Sequence, residues 1–415
     1  MADDLRGESS LGNERLADPA FLVNERAGRV SRLLESASGP AEQLAAAVYR
    51  ISGNWHRESD AWERRQLLAL DAARYGDREL SARITAVSVE GEPAAQWVVE
   101  WATGSCLEFR SSRALIGPPE GVRAVAVAEI EGLPHVVTGS DDKSVWLWDL
   151  TTGRPVGKPM TGHTNWIRAL ATVVVDGRPL AVTGSDDETV RVWDLIAGEQ
   201  VGRPLTGHDG WVQAVAIAEI EGRPHAVTTG DDATVRVWDL TTSQPVGKPM
   251  TGHTDCVLAL ATVMVDGRPL AVTGSDDETV RVWDLIAGEQ VGRPLTGHDG
   301  MVCAVATVEI EGRPHTVTAG TDATVRVWDL TTGRPVGSKP MRGYDSVHAV
   351  VAMMAVDNRP YAITASSSVA EVWDLTTRKQ VGRELKFSSG IDALAMASDG
   401  RLVVGGGELV VLARR

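Results

Sequence analysis

Four evenly spaced histidines are the residues of this sequence whose type and spacing first suggest chemistry. His163, His208, His253 and His298 lie 45 residues apart, and imidazole nitrogens bind metal ions or carry protons. The sequence offers no close cluster of histidine and cysteine residues that would converge on one ion. A ring of metal sites is one interpretation of this spacing, and a repeated structural role is the other.

Other motifs that could carry chemistry are incomplete. The GSDD at Gly184–Asp187 lacks the further oxygen ligands and the terminal Glu of an EF-hand loop. The glycines at 405–407 lack the Lys and Ser/Thr of a phosphate-binding loop, and no serine lies in a GxSxG motif. Cys106, Cys256 and Cys303 have no CxxC spacing and are expected to be small buried thiols. We therefore predict no catalytic residue, no metal and no cofactor, and a protein that is not an enzyme.

The charge and composition of the chain limit its partners and its location. Its 415 residues carry a net charge of −15, which argues against a nucleic-acid backbone or an anionic membrane and favours a basic partner. The sequence contains no run of about eighteen apolar residues, and MADDLRGESS at the start is not a secretion signal. Three cysteines suit a reducing compartment. We expect a cytoplasmic protein that binds neither nucleic acid nor a membrane.

Trp-Asp pairs recur through the sequence at a constant interval of 45 residues. The tryptophans are Trp148, Trp193, Trp238, Trp283, Trp328 and Trp373. A fixed period of this length indicates units that each leave an apolar face for the next unit to cover. In one unit, WIRALATVVV and RPLAVTGS flank the turn dipeptide Asp176–Gly177, and ETVRVWDL and EQVGRPL follow. Each unit is therefore predicted to be a four-stranded antiparallel meander, the blade of a β-propeller.

These repeats resemble the WD-repeat β-propeller family, of a bacterial type, and the resemblance covers residues 105–415. In that family a Gly-His before the first strand, a Ser or Thr, a turn Asp and the Trp form a buried hydrogen-bonded tetrad. The resemblance implies four complete tetrads, namely His163, Thr183, Asp187 and Trp193; His208, Thr228, Asp232 and Trp238; His253, Thr273, Asp277 and Trp283; and His298, Thr318, Asp322 and Trp328. The evenly spaced histidines are thus expected to be structural, because a buried carboxylate beside an imidazole N–H escapes its desolvation penalty.

Two repeats depart from this pattern. In the first repeat Pro118 takes the histidine position, which leaves Asp142 without that partner. In the sixth repeat Tyr344 takes the histidine position, and a turn one residue shorter lacks the aspartate. We expect these two blades to lack the complete tetrad.

The fold class predicted is all-β, a seven-bladed propeller closed by a blade that the two ends of the chain share. After Trp373 the sequence contains only three more strands, and CLEFRSSRALIGPP at 106–119 is expected to supply the fourth. Such closure removes an open sheet edge. Residues 81–104 are expected to be extra strands that join the helices to the propeller, because Arg83–Thr103 also look strand-like. An eighth partial blade is the alternative.

The residues before the repeats are predicted to be helical over 18–80, after a loose acidic tail at 1–17. RVSRLLESA, AEQLAAAVYRI and the run through Leu68, Ala72 and Tyr75 have helical spacing, which predicts three short helices. Pro40 suits a first helical position, and Asp60 with Glu63 resembles a capping box. We favour a helical cap over a DNA-reading helix-turn-helix because the chain is acidic.

The resemblance also implies a binding face on the propeller. In the family, ligand contacts concentrate at the start of the first strand and beside the turn aspartate. The matching positions are Arg123, Asp141, Trp166, Arg168, Asp186, Trp211, Gln213, Asp231, Leu258, Asp276, Met301, Thr321 and His348. Trp166 and Trp211 are not required by the tetrad and suit a binding surface, although shielding of blade junctions is the alternative.

Three classes of function follow from these patterns. We predict a non-catalytic intracellular scaffold that binds a protein or peptide, preferably a basic one, on this face. The alternative is a regulatory or sensor subunit that docks through its helical N-terminal residues onto an enzyme encoded elsewhere. The third is an enzyme with its site in the central channel, against which a dry channel lined only by Ala, Val and Thr would count.

Overall fold

The computed structural model describes residues 15–92, 94–103, 121–343, 345–354, 359–387 and 389–414. The chain forms two compact units. The first comprises Met1–Gly117, Lys386–Ser388 and Val410–Arg415, and the second comprises Pro118–Leu385 and Ser389–Leu409. None of the helices in the described part of the chain has the length and apolar character needed to cross a membrane.

Five α-helices lie near the start of the chain. They are α1 (Pro19–Asn24), α2 (Ala27–Leu33), α3 (Pro40–Ile51), α4 (Ala61–Arg74) and α5 (Arg78–Thr85), with short 3-10 helices at Arg15–Ala17, Leu34–Ser36 and Trp55–Arg57. Aspartates cap three of them, since Asp18, Asp60 and Asp77 accept hydrogen bonds from the first-turn amides of α1, α4 and α5. Their apolar faces meet in one core, which includes Leu22, Tyr49, Leu68 and Ile84.

This helical region differs in three ways from the sequence-based prediction. The three predicted helices correspond to α2, α3 and α4, and α1 and α5 are additional. The prediction of extra strands over 81–104 is wrong at its start, because residues 81–85 belong to α5. Residues 1–14 of the predicted tail lie outside the described residues, whereas Arg15–Ala17 form a short helix whose Leu16 is fully buried.

A strand β1 (Trp97–Ala102) follows the helices, and six sheets then succeed one another along the chain. The first contains β2 (Val122–Ile130), β3 (Leu133–Ser140), β4 (Ser144–Asp149) and β5 (Met160–Thr161). The second contains β6 (Ile167–Val175), β7 (Arg178–Ser185), β8 (Thr189–Asp194) and β9 (Glu199–Thr206). The third contains β10 (Val212–Ile220), β11 (Arg223–Gly230), β12 (Thr234–Asp239) and β13 (Gln244–Thr251).

The next three sheets each have a divided outer strand. The fourth contains β14 (Val257–Val265), β15 (Arg268–Ser275), β16 (Thr279–Asp284), β17 (Glu289–Gln290) and β18 (Leu295–Thr296). The fifth contains β19 (Val302–Ile310), β20 (Arg313–Gly320), β21 (Thr324–Asp329), β22 (Arg334–Pro335) and β23 (Met341–Arg342). The sixth contains β24 (Val347–Met354), β25 (Pro360–Ser366), β26 (Val369–Asp374), β27 (Lys379–Gln380) and β28 (Leu385–Lys386).

The hairpin turns follow from the sequence chemistry of each repeat. Asp176 and Gly177 both have positive φ, at 50° and 75°, which is the backbone of a two-residue turn whose twist matches that of the flanking strands. Val175 therefore pairs with Arg178, and the register continues along β6 and β7 to Ile167 opposite Ser185, with one irregularity. The turn sets which side chains of each strand are buried.

The seventh sheet is shared by the two ends of the chain. It contains β29 (Ile391–Met396), β30 (Leu402–Gly406) and β31 (Leu409–Arg414), in the order β1-β31-β30-β29. The predicted closure by a shared blade is confirmed, but the fourth strand of the sheet is β1. Residues 106–119, from which that strand was predicted, lie outside the described residues. The alternative of an eighth partial blade is wrong because β1 belongs to this seventh sheet.

The inner strands of the sheets form a complete ring. Each first strand contacts the first strand of the next sheet, and β29 contacts both β24 and β2. Threonine side chains tie some neighbours together, since Thr172 donates to the Val127 carbonyl at 2.7 Å and Thr262 donates to the Ile217 carbonyl at 2.6 Å. The fold is therefore a seven-bladed β-propeller, as the repeats predicted.

Candidate functional site

The structure brings the members of all four predicted tetrads together. In the second sheet, His163 Nδ1 lies 2.9 Å from Asp187 Oδ2, and His163 Nε2 lies 2.8 Å from Thr183 Oγ1. Trp193 Nε1 donates to the same threonine oxygen at 2.8 Å. The third, fourth and fifth sheets repeat this geometry within a few tenths of an ångström.

The hydrogen bonds of a tetrad fix the protonation of its histidine. Because the indole N–H donates to the threonine oxygen, the hydroxyl proton is available for Nε2, and Nδ1–H donates to the carboxylate. Burial lowers the pKa of His253 and His298. Burial alone would raise the pKa of Asp277, but hydrogen bonds from Thr279, His253 and the Thr254 amide hold it at about 2. Both ring nitrogens of each tetrad histidine form hydrogen bonds, so neither is available to bind a metal ion.

The first sheet replaces the missing histidine with an indole. Trp146 Nε1 donates to Asp142 Oδ2 at 3.3 Å, and the Ser144 amide donates to Asp142 Oδ1 at 2.8 Å. Asp142, which was expected to be without a histidine partner, thus has the Trp146 indole as its donor, and Pro118 itself lies outside the described residues. Trp148 still donates to Thr138 at 3.0 Å and stacks on Trp146. The indole N–H can substitute for the imidazole because the carboxylate needs only a donor.

Replacing Trp146 by phenylalanine is expected to lower the free energy of unfolding by about 0.5–1.5 kcal/mol, the typical contribution of one hydrogen bond. Urea unfolding of the full chain measures the change. Trp146→Arg is the matched control, because the next four sheets carry arginine at this position, and it should lose less than the phenylalanine variant. Equal losses would mean that packing of the ring, not its N–H, stabilises Asp142.

In the described part of the sixth sheet, the tryptophan and threonine of a tetrad are present. Trp373 Nε1 donates to Thr364 Oγ1 at 2.9 Å. Tyr344, which the sequence places at the histidine position, lies outside the described residues.

The seven inner strands bring one residue each to a surface that we name the channel mouth. Its members are Arg123, Arg168, Gln213, Leu258, Cys303, His348 and Asp392. The next residue of every inner strand is alanine, and in six of the strands the valine or leucine that follows also lines the cavity, which has a volume of about 200 Å³. The mouth is polar, whereas the two layers behind it are apolar.

Two exposed tryptophans beside the channel mouth form a stack with two of its arginines. The Arg123 guanidinium lies 5.5 Å from the centroid of the Trp166 ring, and the Arg168 guanidinium lies 5.8 Å from it. Arg168 also lies 4.6 Å from the ring centroid of Trp211. Trp166 and Trp211 remain 40% and 44% exposed. Guanidinium groups at these distances hold indole rings in place by cation–π attraction.

Carboxylates neutralise these arginines from the neighbouring turns. Arg123 Nε donates to Asp141 Oδ1 at 2.9 Å, and Arg168 Nη2 donates to Asp186 Oδ2 at 3.0 Å, with a second bond from Arg168 Nε to Oδ1. Hydrogen bonding to Asp141 raises the pKa of Arg123. In the third sheet a neutral side chain takes the arginine position, and the Gln213 amide donates to Asp231 Oδ1 at 2.8 Å.

The remaining predicted positions lie on the same face. Backbone hydrogen bonds of 3.0 Å join each turn residue to the residue before the inner strand, as from Asp276 N to Cys256 O and from Thr321 N to Met301 O. Met301 is 41% exposed. The predicted binding face is thus contiguous, and its role in binding stays a prediction.

Sequence reasoning missed Asp392 and Cys303 as members of the channel mouth. Asp392 Oδ1 accepts a hydrogen bond from Arg123 Nη1 at 3.4 Å. Cys303 is half-buried rather than buried, and burial raises the pKa of its thiol to about 11. The signal for Cys303 was available, because it stands 45 residues after Leu258.

A second missed cluster consists of Asp255, Cys256 and Asp276. One ligand-capable atom from each lies within 4.8 Å of the others. Asp255 and Cys256 precede β14 and Asp276 follows β15, so the antiparallel pairing of these strands brings the three residues together at the open end of the hairpin. Burial and neighbouring carboxylates raise the pKa of Cys256 to about 11. The thiol is therefore protonated at neutral pH, which makes it a poor metal ligand.

Comparison with known families agrees with the fold. Five stretches match the WD domain, G-beta repeat family, namely residues 110–149, 153–194, 198–239, 243–284 and 288–329. They cover half of the chain, whereas a comparison with curated proteins found no match. Propellers of this kind generally serve as scaffolds for protein interactions. The chain belongs to the WD domain, G-beta repeat family, in which it forms a seven-bladed propeller.

Proposed function

We propose that this protein is a non-catalytic scaffold of the bacterial cytoplasm that binds a protein or peptide segment at the channel mouth. The observation that carries the proposal is the stack of Arg123, Trp166, Arg168 and Trp211. Tryptophan and arginine dominate the binding energy of many protein interfaces. Here both types lie side by side on an accessible surface.

The stack is arranged before any partner arrives. Asp186 holds the Arg168 guanidinium through two hydrogen bonds, and the guanidinium contacts both indole rings. Side chains that are already ordered lose little conformational entropy when a partner binds, so more of the contact energy remains for affinity. A rigid aromatic surface with a polar border therefore favours recognition.

The groups at the channel mouth also support a role without catalysis. The Cys303 thiol, with its pKa raised to about 11, is not an activated nucleophile. The layers behind the mouth consist of alanine, valine and leucine, which offer no acid, base or nucleophile. The mouth itself contains arginine, histidine and aspartate, so it is more polar than the channel of Ala, Val and Thr considered from the sequence.

Replacing Trp166 and Trp211 together by alanine is expected to abolish capture of the partner in affinity purification from the native cell. The change removes the two exposed indole rings beside the mouth and replaces no member of the four tetrads. Co-purifying proteins identified by mass spectrometry from parent and variant give the measurement. This experiment separates the two predicted roles of the rings. If the tryptophans only shield blade junctions, their replacement would leave capture of the partner undiminished.

A matched control uses two other exposed apolar side chains of the same propeller. Ile196 and Ile286 are 64% and 56% exposed and lie in the turns before the outer strands. The Ile196→Ala, Ile286→Ala variant should capture the same proteins as the parent. Loss of capture in both double variants would mean that general surface hydrophobicity, not the mouth, retains the partner. The alternative role, docking through the helical residues onto an enzyme, stays a prediction.

A further inference from the structure

The turn carboxylates around the channel mouth differ in whether the chain itself satisfies them. In each of the first three sheets, the turn carboxylate accepts a hydrogen bond from the side chain of the second residue of the inner strand. These donors are Arg123, Arg168 and Gln213. In the fourth sheet that position is Leu258, which has no donor. Asp276 Oδ1 is buried there and has no hydrogen-bond partner among the described residues.

The surroundings of Asp276 are negative. Burial raises the pKa of its carboxyl, and the charges of Asp255, Asp231 and Asp277 raise it further. Among the described residues, neither Asp255 nor Asp276 forms a salt bridge, whereas Asp141 and Asp186 each pair with an arginine. The mouth is therefore neutralised on its first and second sheets and keeps uncompensated negative charge at its third and fourth.

The chain itself shows which group fits such a position. Arg168 donates to both oxygens of Asp186 and lies against the rings of Trp166 and Trp211. Among the described residues, Trp166 has two guanidinium neighbours and Trp211 has one, because its own sheet supplies Gln213 instead of arginine. A guanidinium combines planar paired donors with faces that stack on indole, and an ammonium does not.

We propose that the third and fourth sheets of the channel mouth bind an arginine side chain of the partner segment. Its guanidinium supplies the donor that the Leu258 side chain lacks and forms hydrogen bonds with Asp276. It is also attracted by Asp231 and by the exposed ring of Trp211. The inference rests on the proposed function, since it names the chemistry of the segment bound at that face. The net charge of −15 adds long-range attraction for such a segment.

The probe for this site is a set of three peptides that differ at one residue. Acetyl-Gly-Arg-Gly-amide, its lysine analogue and its citrulline analogue are titrated against the full chain labelled with ¹⁵N-tryptophan. The indole N–H signal of Trp211, assigned with Trp211→Phe, reports binding. The arginine peptide should bind about tenfold more tightly than the citrulline peptide, which lacks the charge, and more tightly than the lysine peptide, which lacks the planar fork.

Two variants of the protein test which residues form the site. Asp276→Asn should lower the affinity for the arginine peptide about tenfold or more, because a charge-assisted hydrogen bond is lost. Leu258→Arg should also abolish peptide binding, since it supplies from within the chain the arginine that the first two sheets have. Leu258→Met is the matched control and should bind like the parent. Equal affinity of all three peptides, or full affinity in Asp276→Asn, overturns the proposal.

A metal ion is the competing occupant of the same carboxylates. If zinc chloride shifts the Trp211 signal and the arginine peptide does not, the cluster of Asp255, Cys256 and Asp276 is a metal site and the proposal fails. The proposed function is separable by affinity purification. Capture that survives Leu258→Arg but is lost in Trp166→Ala, Trp211→Ala leaves the scaffold role standing and removes the arginine site.

Discussion

Lowering the pH from 7 to 4.5 is expected to destabilise the helical region by about 2–3 kcal/mol through one residue, His56. His56 is fully buried, and burial followed by the charge of Arg64 lowers its pKa to about 4, against an opposing contribution from the Tyr49 backbone. The unfolded chain takes up this proton near pH 6.5, whereas the folded chain does not. The stability that neutral His56 contributes is therefore complete above pH 6.5 and is lost as the pH falls towards 4.

The contacts of His56 explain why its neutral form is favoured. Ser52 Oγ lies 3.1 Å from His56 Nε2 and donates its own proton to Asp71, which Arg74 binds at 2.8 Å. The imidazole therefore donates from Nε2. Its Nδ1 is buried and forms no hydrogen bond of normal geometry in the part of the chain that the structure describes, and the ring centroid lies 4.3 Å from that of Tyr49. A proton added to the ring would be a buried charge close to Arg64, and the Tyr49 backbone offsets that cost only in part.

Hydrogen exchange measured by mass spectrometry on peptides from α3 and α4 tests this prediction. After correction for intrinsic exchange rates, protection in the parent should fall between pH 7 and 4.5. His56→Gln is the control, because glutamine keeps a donor for Ser52 and does not titrate. An equal loss of protection in the variant would assign the acid sensitivity to other groups.

Repetition made the propeller predictable from the sequence, because each hairpin turn and each Trp-Asp pair occurs several times at one period. The prediction failed where a feature occurs once. The strand β1 has no repeat partner and pairs with β31 from the other end of the chain. A single strand of this kind carries no periodic signal, and its pairing is decided by tertiary contact rather than by local pattern.

Identical sequence also gives different outer strands in two sheets. Residues 175–210 and 265–300 have the same letters, yet β9 is continuous over Glu199–Thr206, whereas the fourth sheet divides the matching run into β17 and β18. Outer strands pair on one side only, so their bounds depend more on their surroundings than inner strands do.

The candidate site was predictable in its positions but not in its pairings. The repeat placed Arg123, Asp141 and Asp276 on one face, but it could not show that Asp276 would lack the partner that Asp141 has. That difference results from the exchange of a charged residue for Leu258, whose meaning depends on a turn 18 residues away in the chain. The replacement of histidine by Trp146 was hidden for the same reason.

Replacing His208 by alanine is expected to lower the free energy of unfolding of the propeller by about 1–3 kcal/mol, the cost of leaving buried polar groups without partners. His208 Nδ1 lies 3.1 Å from both oxygens of Asp232, and Nε2 lies 2.8 Å from the hydroxyl of Thr228, which is fully buried. Alanine removes both contacts at once. Burial alone would raise the pKa of Asp232, and the hydrogen bond from His208 is the largest contribution that lowers it.

Urea unfolding of the full chain gives the measurement, and a histidine outside the tetrads gives the control. His348 lies exposed at the channel mouth, so His348→Ala should change the free energy of unfolding by no more than about 0.5 kcal/mol. Because the tetrad of His208 joins the turn after β11 to the residues before β10, its loss should also weaken amide protection there first. Equal unfolding midpoints for His208→Ala and the parent would mean that the imidazole does not stabilise its sheet.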